Sequence, residues 1–192
     1  MAQATLDELA ATGARRLLVL TPGDYFAFRQ LYDERLGITW PATVAVVEVV
    51  TLLAEWLDGG KLAFQQLAET EPYAYLDPTH TVRVLERTDA PRRLLAAVMP
   101  TAGKELFWRR DHAHPTGATA LQYTLPHMAM MLAGARLEDA HKSGARLLIT
   151  EAPGDLALLE RDRSKSAASI ARLHSESRNG QDWSGFVAAK NS

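Results

Sequence analysis

The sequence predicts an α/β fold of short parallel sheets in two related lobes, and three observations predict it. First, a segment occurs twice: Gly13-Ala14-Arg15 leads through an apolar run to Pro22-Gly23-Asp24, and Gly144-Ala145-Arg146 leads likewise to Pro153-Gly154-Asp155. The copies lie 131 positions apart with the same Gly-to-Pro spacing, which means two lobes rather than a solenoid. Second, short apolar runs of strand length alternate with stretches of helical period, the pattern of βαβ units. Third, 192 residues are enough to bury a sizeable core, as one domain or two small ones.

Each element follows from local chemistry. Leu6 to Ala11 is the end of a helix, with Gly13 as its stop. Arg16 to Leu20 is too short an apolar run for a helix and predicts a buried strand. Pro22-Gly23-Asp24 turns the chain, and Tyr25 to Arg35 resumes helical spacing with Phe28, Leu31 and Tyr32 on one face. Val44 to Val47, rich in β-branched residues, is a second strand, followed by a helix from Glu48 to Leu57 that Gly59-Gly60 ends.

The polar stretch Gln66 to Tyr73 reads as the junction between lobes. Ala74 to Leu76 predicts a brief strand ending at Asp77-Pro78, which reads as turn chemistry. Asp89 is placed to cap a helix through Pro91, Leu94, Leu95 and Val98. Leu106 to Trp108 predicts another strand, and His112 to Ala120 a loop. Leu125 to Lys142 predicts a long helix with Met128, Met131, Leu132 and Ala135 at core spacing. Arg146 to Thr150 is the strand of the second copy, with its Pro-Gly-Asp turn and a helix from Leu156. Beyond Arg161 the Ser-, Asn- and Lys-rich composition predicts a fraying helix and loose tail.

Composition narrows the function classes. Apolar residues make up 47% and charged residues 23%, the balance of an ordinary globular protein. A net charge of −2 gives no electrostatic reason to expect nucleic acid or an anionic membrane as partner. The complete absence of cysteine excludes disulfides, thiolate nucleophiles and cysteine-ligated iron–sulfur clusters. Met1 to Leu9 lacks the basic n-region and apolar h-region of a signal peptide, and Pro41, Glu48 and Glu55 interrupt the most apolar stretch, so a cytoplasmic location without direct membrane insertion is expected. There is no Gly-x-Ser-x-Gly, no P-loop and no strand-anchored Gly-x-Gly-x-x-Gly.

Four landmarks carry a family likeness: Asp77-Pro78-Thr79-His80, the helix start Ala90-Pro91-Arg92-Arg93-Leu94-Leu95, the loop Pro115-Thr116-Gly117, and Ala152-Pro153-Gly154-Asp155. In their order and spacing, Tyr75 to Leu159 resembles the second repeat of the CCG-type cysteine-rich domain family. That family includes the heterodisulfide reductase B-like subunits and the iron–sulfur subunits of glycolate, lactate and glycerol-3-phosphate oxidoreductases. There the landmarks read Asp-Pro-Cys-His, a Pro-Arg-x-Leu-Leu-like helix, Cys-Cys-Gly and Cys-Pro-x-Cys. Leu6 to Leu62 similarly resembles the tail of the first repeat, with Thr21-Pro22-Gly23-Asp24 in place of Cys-Pro-x-Cys. The resemblance implies residues 1–72 as the C-terminal part of a truncated first repeat, 73–165 as a complete second repeat, and 166–192 as a polar helix or tail.

It also implies which positions once held a cluster: Thr21, Asp24, Thr79, Pro115 with Thr116 (or His114 with Pro115), Ala152 and Asp155. Thr, Pro and Ala supply no thiolate, so neither the cluster nor electron transfer through it is expected. The second cysteine of Cys-Pro-x-Cys is Asp in both copies, at the start of a helix, where an anion and a cap suit the dipole. Asp24 and Asp155 therefore read as helix N-caps. The resemblance implies a structural or docking component of an oxidoreductase complex, not catalytic on its own, with flavoprotein or iron–sulfur subunits as partners and no cofactor. The alternative is a small-molecule or mononuclear metal-binding protein using the vacated pocket, with His80, His112, His114 and Asp155 as ligands.

Overall fold

The computed structural model describes residues 2–118 and 120–165, and the polar tail expected over 166–192 lies outside the described residues. The chain divides into two compact units between Ala63 and Phe64. Each carries one short parallel two-stranded sheet, so the α/β class and the parallel pairing are as the sequence predicts.

In the first unit, α1 (Ala2–Thr12) ends at Gly13, whose φ of +64° reverses the chain into β1 (Arg16–Val19). Pro22-Gly23-Asp24 is no separate turn. It is the first turn of α2 (Pro22–Phe26), which passes through a π-helical stretch, Ala27–Leu31, into α3 (Tyr32–Glu34). Proline fits that first turn because its missing N–H has no intrahelical partner there. β2 (Ala45–Glu48) lies parallel to β1, with Arg16 opposite Ala45 and Val19 opposite Glu48, and runs directly into α4 (Val49–Asp58). Val19, Val46, Val50, Leu52 and Ala54 are buried. Phe28, Tyr32 and Trp40 form an aromatic cluster with ring centroids 5.1–6.0 Å apart, and the Trp40 indole donates to the Val44 carbonyl at 2.6 Å.

The second unit repeats the device. β3 (Tyr73–Tyr75) is followed by α5 (Thr79–Val84) and α6 (Ala90–Val98). A short α7 (Leu121–Thr124) precedes α8 (Pro126–Lys142), and Gly144, with φ +77°, turns the chain into β4 (Leu147–Ile149), which is followed by α9 (Pro153–Lys165). The second helix of the repeated segment thus begins at Pro153, three residues before Leu156. β4 lies parallel to β3. The expected junction belongs to this unit: the Gln66 side chain donates to the Met99 carbonyl at 3.0 Å and the Leu67 N–H to that of Val98 at 2.8 Å.

Strand alternation sends side chains to opposite faces of the β3–β4 sheet. Ala74, Leu76 and Leu148 pack with Leu137, Leu158 and the alanines of α8, while Tyr73, Tyr75, Leu147 and Ile149 pack with Leu95 and Met99. Both faces are covered, which explains why β3 is buried along its whole length.

Three expectations need correction. α8 buries Ala129, Ala133, Leu137 and Ala140, whereas Met128 and Met131 are 52% and 63% exposed. Two stripes of the helix carry helical spacing, and the one with small side chains seats it closest to its neighbours. Leu106–Trp108 forms no strand; a single bridge joins Lys104 to Ala74. Its N–H groups turn to a side chain instead, with Phe107 and Trp108 donating to the Asp139 carboxylate at 3.0 and 3.1 Å. Asp89 stands at the N-cap of α6 but makes no capping bond; it takes the Arg110 guanidinium at 2.6 Å.

Candidate functional site

The chemistry-bearing residues of the second unit gather where the chain leaves β3 and β4. This is the end of a parallel sheet at which loops from successive strands meet. β3 delivers Asp77, Thr79 and His80; β4 delivers Glu151, Ala152 and Asp155; the loop before α7 delivers Thr116.

Asp155 is the third residue of α9, inside the first turn rather than at the cap. Its Oδ1 accepts the Thr116 hydroxyl at 2.5 Å, and that hydroxyl oxygen in turn accepts the Ala118 N–H at 3.2 Å. Burial pushes the Asp155 carboxyl above the usual carboxylate range, outweighing the Thr116 hydrogen bond and the nearby charge of His80. Because the folded-state value is raised, the stability it contributes is full below the unfolded value near ~4 and is lost as pH rises through the folded value. Asp155→Asn keeps an acceptor for Thr116 without the buried charge. The substitution is expected to raise the Tm at pH 8, with the gain shrinking towards pH 4, in thermal unfolding at the two pH values.

In the first copy, Asp24 occupies the same third position but is satisfied locally. The Thr21 hydroxyl donates to Asp24 Oδ2 at 2.8 Å and accepts the Asp24 N–H at 3.1 Å, so Thr21 is the cap and Asp24 is not.

Beside Asp155 lies a second group the sequence did not single out. Glu151, buried two residues past the end of β4, accepts the Thr81 hydroxyl at 3.0 Å and the Arg87 guanidinium at 2.7 Å. Burial, with Glu151 adding to it, pushes the Tyr75 hydroxyl well above its usual value. Asp77 is more than a turn residue. It is buried, takes both terminal nitrogens of Arg92 at 2.8 Å and accepts the Arg110 N–H at 2.9 Å. The last bond holds Arg110 at φ +53°, a conformation uncommon for a residue with a Cβ. The available signal was an acidic residue two positions past the end of β3 and of β4: Asp77 and Glu151.

The four residues considered as metal ligands are not brought together. His114 stacks on the Trp108 ring with centroids 4.1 Å apart, and His112 is exposed beside Asp111 at 3.6 Å. Only His80 shares the surroundings of Asp155. Among the described residues no group of three or more His, Cys, Asp or Glu side chains is arranged to hold a metal ion. Of the former cluster positions, Thr116 and Asp155 meet directly, Ala152 lies three residues before Asp155, Thr79 opens α5 next to His80, and Pro115 and His114 are exposed. Thr116 is buried with its proton turned to Asp155, the geometry of a tie between loops rather than of an accessible nucleophile. Among the described residues no helix is long and apolar enough to cross a membrane. No protein-family model matches the chain, and neither does any curated protein or solved structure.

Proposed function

We propose that this chain is a divergent, cysteine-free relative of the CCG-type iron–sulfur subunits that acts in the cytoplasm as a structural or docking component of an oxidoreductase complex. The observation that carries this reading is the Thr116–Asp155 hydrogen bond, with His80 close by. The bond ties together two loops whose counterparts in the resembled family carry cluster cysteines, and His80 brings the charge of a third close to them. Two of those positions now satisfy each other, so the loops stay in register without a cluster to hold them. The donor set present does not fit an iron–sulfur cluster: hydroxyls, a methyl group, a proline ring and one carboxylate replace thiolates. No redox step is therefore assigned to this chain, and its partners are flavoprotein or iron–sulfur subunits that do the chemistry.

Restoring the ligands tests the ancestry. A variant with Thr79, Pro115, Thr116, Ala152 and Asp155 all replaced by Cys, reconstituted anaerobically with ferrous iron and sulfide, is expected to gain visible-range absorbance and bind iron and sulfide together. The natural chain should stay colourless under the same treatment. A folded variant that takes up no iron would overturn the reading. So would stoichiometric iron and sulfide in the natural chain.

A further inference from the structure

The two units contain the same segment, and comparing its surroundings shows what one of them lacks. Position for position, Arg16, Leu18 and Leu20 correspond to Leu147, Ile149 and Glu151. Along a parallel pair, alternate residues point their N–H and C=O groups to one side. In β4 the residues facing β3 are Leu147, whose N–H donates to the Pro72 carbonyl at 3.1 Å, and Ile149, whose carbonyl accepts the Leu76 N–H at 2.8 Å. In β1 the opposite parity faces β2: the Ala45 N–H donates to the Arg15 carbonyl at 3.0 Å, and the register carries this on to Leu17 and Val19. Arg16 and Leu18 therefore point their backbone groups away from β2. That outer edge of β1 is the edge which, in the second unit, β3 occupies, and among the described residues no strand pairs with it.

Side-chain burial agrees. Glu151, although charged, is 5% exposed because Thr81 and Arg87 cover it, and both come from the chain that follows β3. Leu20, its apolar counterpart, is 75% exposed, and Leu18 is 51% exposed. An unpaired strand edge with exposed leucines invites another strand. The charges agree as well. Arg146 lies 3.9 Å from Glu71, two residues before β3, and its counterpart Arg15 is exposed.

We infer that the outer edge of β1 is a strand-addition site that takes a parallel, apolar β-strand of a different polypeptide, preceded by an acidic residue that pairs with Arg15. A second copy of this chain fits poorly. Two copies of one edge meeting about a two-fold axis pair antiparallel, whereas the occupied counterpart is parallel. The strand with the right chemistry, β3, is already buried and paired within its own unit. The inference stands on the geometry of the two units and does not rest on the redox reading.

The probe is a capped peptide copying Glu71–Pro78, added to the full chain and followed by titration calorimetry and residue-resolved amide exchange. Binding is expected to slow exchange at Arg16 and Leu18 at least tenfold. Leu18→Pro removes an outward N–H but none of the β1–β2 ladder, so it should cut affinity at least tenfold while Leu17 and Val19 remain protected. Arg15→Glu, which leaves the strand backbone untouched, should weaken binding by about fivefold, the scale of one exposed ion pair. No binding at millimolar peptide would overturn the inference. Protection confined to β4, or a free chain that sediments as a dimer with Arg16 and Leu18 already protected, would overturn it too.

Discussion

Asp139→Ala is expected to lower the unfolding free energy of the second unit by about 3–5 kcal/mol, the cost of leaving a buried partner charge uncompensated. Asp139 on α8 accepts from three donors: the Phe107 N–H, the Trp108 N–H and the Arg136 guanidinium one helical turn away. Arg136 is among the most completely buried side chains described, and burial pulls its guanidinium below its usual value even with Asp139 beside it. Without the carboxylate, Arg136 keeps only the Trp108 carbonyl, at 3.2 Å, and two backbone N–H groups lose their acceptor. Asp139→Asn should cost less, because its carbonyl oxygen still serves one N–H. Urea unfolding of the full chain and both variants checks the order; a loss below about 1 kcal/mol for the alanine variant, the scale of an exposed pair, would mean that water reaches the site.

Gly117→Ala is expected to destabilise the second unit by about 2–4 kcal/mol, from the left-handed backbone and overpacking together. Gly117 has φ +88°, and a Cβ there would sit 2.6 Å from the Ala129 Cα and 2.9 Å from its carbonyl oxygen. Neither is a flexible side-chain end, so α8 itself would have to move. Gly13→Ala separates the two contributions. Its φ is +64°, but a Cβ there meets nothing within 4 Å, so only the backbone cost of about 1–2 kcal/mol remains. Thermal unfolding of the two variants side by side measures the difference, and equal losses would remove the steric argument.

What could be read from the sequence was the local punctuation. The two Gly-Ala-Arg starts and the short apolar runs mark helix stop and strand in both units, because each depends on neighbouring residues, whereas the two Pro-Gly-Asp segments, read as turns, are the first turns of helices. The partners of the charged groups could not be read the same way. Arg87 reaches Glu151 across 64 positions and Thr116 reaches Asp155 across 39, and nothing local at either end announces the other. Asp77 looked like turn chemistry because Asp-Pro is common in turns, yet its carboxylate is committed to Arg92, 15 positions on. The exposed methionines of α8 had the right period on the wrong face. Helical spacing says that one stripe is buried, but only the packed neighbours decide between a stripe of alanines and a stripe of methionines.

The two aspartates at the third helical position also differ in when they can be satisfied during folding. Asp24 finds Thr21 three residues away, so its cap forms as soon as the first turn of α2 does. Asp155 waits for Thr116, and that contact closes a loop of 39 positions containing all of α8. Loop-closure entropy grows with the chain enclosed, and contacts between distant positions reward the chain only after that entropy has been lost. One segment, used twice, is thus finished early by its own residues in the first unit. In the second unit it is finished late, as the last stitch that fastens the loop over the end of the sheet.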